Sequence, residues 1–229
     1  MLRLKRTKYI SGSISKAVLL LGILTLWQPL SGQDTLRTYG PRFGIDLARF
    51  IFILSEPSEI GAEASMDMEI FRNLYPVIEL GYSSISEDED LFSYSAGGMY
   101  ARAGIDYNLL KLKDRSQHHD ITFGARYGLS VFSHRTENIL ISNDYWGDEV
   151  NRSYEQDLRG HWVELVGGIR AELLPNLFLA WSLRYKILLN RDMDPRVPPQ
   201  LVPGFGTGGQ NRNFGMTYSI QYKIPVLKK

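Results

Sequence analysis

Residues 160–189 read GHWVELVGGIRAELLPNLFLAWSLRYKILL. Val163, Leu165, Ile169, Ala171 and Leu173 share one parity. Trp162, Glu164, Val166, Gly168, Arg170 and Glu172 share the other. Beyond Leu174-Pro175-Asn176, the residues Leu177, Leu179, Trp181, Leu183, Tyr185 and Ile187 alternate with Phe178, Ala180, Ser182, Arg184 and Lys186. Successive side chains of an extended chain point to opposite faces. Each half is therefore a strand with one oily face and one face holding charges of both signs, and Pro-Asn is turn chemistry. Each strand runs about a dozen residues, against the usual five or six and the 9–11 or so of a tilted membrane crossing. The hairpin is the template for a small transmembrane β-barrel.

The same period runs outward from it. Six more strands are expected at residues 42–49, 60–71, 74–83, 94–108, 119–133 and 211–226, giving eight with the hairpin's two. Residues 60–71 alternate Ile60, Ala62, Ala64, Met66, Met68, Ile70 with Glu63, Ser65, Asp67, Glu69. Arg72-Asn73 is a tight turn, and Pro76 belongs at a strand start or bulge because it lacks a ladder donor. Connections after strands two and six are tight and that after four is moderate. Those after three, five and seven are polar and mostly longer, the asymmetry of periplasmic turns and outer loops.

Residues 1–32 read as a signal peptide and 33–229 as the barrel domain. Arg3, Lys5, Arg6, Lys8 and Lys16 precede an apolar run, residues 17–27, too short to span a bilayer as a helix. Pro29, Ser31 and Gly32 mark a cleavage region. The remainder carries 21 basic against 25 acidic residues, formally −4. It shows no clustered basic excess of the kind a nucleic-acid surface needs. With no Cys there is no disulfide framework. No later apolar run approaches the ~18 residues of a spanning helix, and only helices and closed barrels satisfy the backbone in lipid.

Alternation alone also suits a soluble lipocalin-like barrel with its apolar face inside. Three features favour a membrane barrel: the apolar face is continuous; Tyr82, Tyr107, Tyr127, Tyr185, Tyr218 and Tyr222 lie toward strand ends on it; and the other face mixes Gly with charges. Eight strands leave room for side chains only. The inward set Asp46, Glu63, Asp67, Glu69, Glu79, Asp106, Glu164 and Glu172 with Arg102, Arg126, Arg170, Arg184, Lys186 and Lys223 should therefore form a salt-bridged plug.

Chemistry-bearing residues are few. His134 follows Ser133 near Glu137, and His161 precedes Glu164 by three residues. A Ser-His-acid set of Ser133, His134 and Glu137 or Glu164 is conceivable, but adjacency in sequence is not triad geometry. His118 and His119 fall at the opposite end. The acidic run Glu87-Asp88-Glu89-Asp90 lacks Gly-punctuated ligand spacing. No metal cluster, phosphate loop or dinucleotide motif is present, so no cofactor is expected. Tyr145 and Trp146, and Pro198, Pro199 and Phe205 in a Pro- and Gly-rich loop (191–210), are candidates for partner contact. That loop reads as a lid or a docking arm.

TFGARYGLSVFS (122–133), HWVELVGGIRAEL (161–173), NLFLAWSLRYKIL (176–188), PGF (203–205) and NFGMTYSIQYKIP (213–225) together resemble a Bacteroidota family of small outer-membrane β-barrels carried as a domain of unknown function. The resemblance covers most of the mature chain. It implies the fold and the outer membrane of a Gram-negative cell, and supplies no catalytic or ligand residues. The expectation is an all-β, eight-stranded antiparallel up-and-down transmembrane barrel. It is non-enzymatic, contacts outer-membrane lipid and lipopolysaccharide, and is structural or presents its outer loops to another envelope protein. The alternatives are a subunit of a secretion or uptake complex, a rim-located lipid-modifying enzyme, and a soluble periplasmic binding barrel.

Overall fold

A computed structural model describes residues 38–48, 59–88, 93–110, 119–137, 153–190, 193–194 and 197–228. Eight strands close into one antiparallel barrel. They are β1 (Arg42–Asp46), β2 (Glu59–Asp67), β3 (Leu74–Asp88), β4 (Ser93–Asn108), β5 (Asp120–Glu137), β6 (Tyr154–Leu174), β7 (Leu177–Leu188) and β8 (Arg212–Lys223). Each pairs with its sequence neighbours, and β8 closes on β1 from Ser219↔Asp46 to Lys223↔Arg42. Thr38–Tyr39 pairs with Leu227–Lys228 next to this seam.

The alternation of the sequence is the alternation of burial. Along β5 every second residue from Asp120 to Thr136 is buried, while Ile121, Phe123, Tyr127, Leu129 and Val131 are exposed. Ile45, Leu80, Met99, Leu165 and Phe214, on β1, β3, β4, β6 and β8, are likewise exposed. The apolar face is the outside and the charged face the inside, the reverse of a lipocalin-like barrel. Tyr107 and Tyr222 lie on the outer surface near the end with the tight turns, and Tyr82 lies toward the opposite, loop end.

Both tight turns are built alike. Asn73 and Asn176 sit at φ 63° and 66°, the left-handed region that Asn tolerates better than most residues. The backbone N–H of Asn73 donates to Glu69 at 3.0 Å, and that of Asn176 to Glu172 at 2.7 Å. The Asn73 and Asn176 carbonyls accept from Asn108 and Lys223 of the next strand over, each at 2.8 Å.

Several strand ends differ from expectation, and β2, expected to run to Phe71, stops at Asp67. β1 stops at Asp46, whose carboxylate accepts the N–H of Ala48 at 2.9 Å and turns the chain into a helical step. β3 runs on to Asp88, so Glu87 and Asp88 are strand, not loop. β5 and β6 stay paired to Thr136↔Tyr154, well above Ser133. The wall is therefore uneven: β3 to β6 have 15, 16, 18 and 21 residues, while β7, β8, β1 and β2 have 12, 12, 5 and 9.

Candidate functional site

The inner face carries two tiers of ions beneath a folded-in loop. The tier at the turn end centres on Arg42. Its Nε lies 2.7 Å from Asp67 and its Nη1 3.0 Å from Asp120. Arg170 reaches the same two acids at 3.6 and 3.4 Å. Arg126 grips Asp106 at 2.8 Å, and Asn108 donates to Asp120 at 2.8 Å. The Arg42 guanidinium stands 4.6 Å from the Tyr75 ring centroid, and Lys223 lies over Phe178 at 5.2 Å. These rings floor the lumen.

The middle tier centres on Glu79. Arg184 binds it through two parallel hydrogen bonds of 2.7 and 2.9 Å and also reaches Glu164 at 3.1 Å. Arg102 touches Glu63, Glu79 (2.8 Å) and Glu164 (3.3 Å). Tyr100 donates to Glu63 at 2.6 Å and Trp162 to Glu164 at 2.7 Å. Arg126, 3.6 Å from Glu79, ties the tiers together. Removing one partner from such a group leaves an uncompensated ion in low dielectric, at several kcal/mol. Among the described residues eight acids (Asp46, Glu63, Asp67, Glu79, Asp106, Asp120, Glu164 and, in the mouth, Asp194) and seven bases (Arg42, Arg102, Arg126, Arg170, Arg184, Lys186, Lys223) are buried.

The sequence-picked ions mostly converge here. Glu69 and Glu172 instead accept the turn amides at the rim. Asp46 accepts from Ala48 and, at 3.4 Å, from the Tyr218 N–H. Lys186 hydrogen-bonds the carbonyls of Gly204 (2.6 Å) and Phe205 (3.2 Å) rather than a carboxylate. Sequence reasoning missed Arg42 and Asp120, which share the parity of Gly44 and Thr122 and were legible on that ground. It also missed Tyr75, Tyr100 and Asn108, whose roles need the register.

The loop after β7 turns into the barrel mouth. Leu201–Val202 pairs with Gly206–Thr207 around Pro203-Gly204-Phe205, with Gly204 at φ 79°. Phe205 is 1% exposed and meets Trp162 edge-on at 6.0 Å, in a cluster with Tyr100, Phe132, Leu158, Leu188 and Val202. Phe205 and Pro199 are therefore buried instead of offered to a partner, while Pro198 is exposed. The reason is the apolar Leu-Val-Pro-Gly-Phe run inside an otherwise polar loop, which gains by burial. Tyr145 and Trp146 lie outside the described residues, as do His118, Glu89 and Asp90.

Under this loop His134, fully buried, lies 3.2 Å from Asp194. Tyr154 donates to the same carboxylate at 2.7 Å, and the Tyr94 hydroxyl accepts the Gln200 N–H at 2.9 Å. Together they pin the loop to β4, β5 and β6. The considered triad is not assembled. Ser133 and His134 are adjacent on a strand and point to opposite faces. Glu137 pairs with Arg135 at 2.8 Å on the outside, and Glu164 is held by Arg102 and Arg184. His161 faces outward against Tyr127 at 3.2 Å, and His119 is exposed at the turn end.

No curated protein matches the chain. Among solved structures it is similar to Neisserial surface protein A, at 9% identity over 85% of this chain and 100% of that one, with a TM-score of 0.33. The family model described as Domain of unknown function (DUF6048) matches residues 8–229, and the chain belongs to that family.

Proposed function

We propose that this is an integral barrel of a Gram-negative outer membrane. In this reading it is non-enzymatic and has a closed lumen. It is structural, or presents its tall β3–β6 wall and outer loops to another envelope protein. One observation carries the reading: the ring is closed, with large apolar side chains outside and charges of both signs buried inside. In water that arrangement exposes the oily face and buries the charges. In lipid both faces are matched, and a closed ring is the strand arrangement that lipid admits. Lipid and lipopolysaccharide are the contacts of the outer face.

The test is gel mobility of the protein from isolated outer membranes, unheated against boiled. The expected result is a faster unheated band in the outer-membrane fraction. Recovery from the soluble periplasm, with no heat-dependent shift, would overturn the proposal.

A further inference from the structure

We propose that Arg159 and His161, on the outer face of β6, form a site for a phosphate-bearing lipid headgroup of the leaflet at the loop end; this rests on the outer-membrane reading above and gives it a specific lipid contact. On β6 the apolar belt stops early. Its exposed apolar residues Ile169, Leu165 and Val163 give way, at the next two outward positions, to His161 and Arg159. The neighbouring chain carries the belt further. Across the ladder His161 stands opposite Leu129 and Arg159 opposite Val131, both exposed. On the other side Leu189, also exposed, donates its N–H to the His161 carbonyl at 3.0 Å. Two basic side chains thus occupy a notch between oily ones. The acids Asp157 and Glu155 continue the same face above them, so the notch stands where the belt ends, within reach of the headgroup layer.

The notch is built, not loose. β7 ends at Leu188, and the Asn190 side chain takes the place of the next ladder residue. Its Oδ1 accepts the His161 N–H at 2.9 Å, and its Nδ2 donates to the Arg159 carbonyl at 2.6 Å. One amide therefore fixes the backbone of both basic residues. The Tyr127 hydroxyl lies 3.2 Å from His161 Nδ1, with the two rings 6.2 Å apart. With Tyr127 donating to Nδ1, the ring proton sits on Nε2, a donor for an anion.

The chemistry fits a phosphate on an acyl lipid. Arg159 and His161 are alternate residues of one strand, roughly 6.5–7 Å apart along it, so their side chains can close on one phosphate. A guanidinium offers a planar fork of donors matched to phosphate oxygens. Acyl chains would lie along Leu129, Val131 and Leu189, in the lipid. A soluble anion would use the basic pair and leave that apolar flank idle, which is why the occupant is a lipid.

The experiment is native mass spectrometry of the full-length barrel in detergent. It is titrated with a phosphorylated acyl disaccharide of the lipid A type, with the same lipid stripped of its phosphates, or with inorganic phosphate. The expected result is retention of the phosphorylated lipid at least about tenfold better than of the stripped one, the equivalent of one charge-assisted hydrogen bond. Arg159→Gln should remove that preference, and His161→Phe should weaken it. Arg135→Gln is the control. Arg135 is also exposed, on β5, but is held by Glu137 at 2.8 Å, and its loss should leave the preference intact. Equal retention of the two lipids, or an Arg159→Gln barrel that behaves like Arg135→Gln, overturns the site. Competition by inorganic phosphate at the same concentration would make the ligand a free anion and overturn the lipid source. The heat-dependent band shift is read on the same samples. A barrel that shifts but shows no preference defeats this inference alone; one that does not shift defeats the membrane reading beneath it.

Discussion

Asn176 and Glu172 show how single residues make a tight reversal. Pro175 fixes its own φ near −65°, and Asn176 then takes the left-handed conformation at 66°. Glu172, four residues back, holds its amide. Glu69-Ile70-Phe71-Arg72-Asn73 repeats the device. Asn176→Ala should cost roughly 1–2 kcal/mol, because a Cβ without a compensating side-chain hydrogen bond disfavours that φ; Asn176→Gly should cost far less. Urea unfolding in detergent micelles measures both, and equal losses would show that φ is not the constraint. Arg184 is the counterpart in the lumen. Arg184→Met strips Glu79 of its two parallel hydrogen bonds and Glu164 of one, at a cost of roughly 3–5 kcal/mol. A loss below about 1 kcal/mol in the same assay would mean that water reaches these ions. The turn asparagines were legible as turn residues, but the glutamates were not. Their parity put them inside, and only the turn geometry shows that they bond amides.

At the scale of elements, the β7–β8 loop matters most and was read least well. Strands announce themselves because a two-residue period maps directly onto two faces. A folded-in loop has no period, and its Pro and Gly content is shared by exposed loops. Its signal was the Leu201-Val202 and Phe205 cluster, apolar residues with no outward use. The Phe205 ring fills the mouth against Trp162, so Phe205→Ala should free the loop by roughly 3–5 kcal/mol locally. Hydrogen exchange reads this at the Phe205 and Gly208 amides, which donate to Val202 (3.0 Å) and Gln200 (2.9 Å). Both should exchange at least a hundredfold faster while the β5–β6 ladder is unchanged. Slow exchange would show that the Asp194 and Lys186 contacts suffice to hold the loop. Strand ends were blurred for a related reason. Above Val131 the outward residues Ser133, Arg135 and Glu137 are polar, so the apolar count stops while the ladder continues to Thr136↔Tyr154.

For the whole molecule the deciding quantity is which face meets which solvent, and alternation leaves that sign open. A soluble barrel and a membrane barrel share the same period. In the closed ring Leu165 is half-exposed, and beside it in the chain Glu164 is fully enclosed by Arg102 and Arg184. The sign is thus read from neighbouring residues of one strand. It gives opposite predictions for opposite environments. If the outer face meets hydrocarbon, Leu165→Arg puts a charge in the apolar stretch of β6 and should destabilise the refolded barrel by roughly 2–4 kcal/mol. Ser182→Thr, on the inner face of the facing strand, should cost far less. If the outer face met water, Leu165→Arg would fall within about 0.5 kcal/mol of neutral, as surface substitutions do. Equilibrium unfolding of both variants in lipid vesicles separates the cases, and a near-neutral Leu165→Arg would take the barrel out of the membrane.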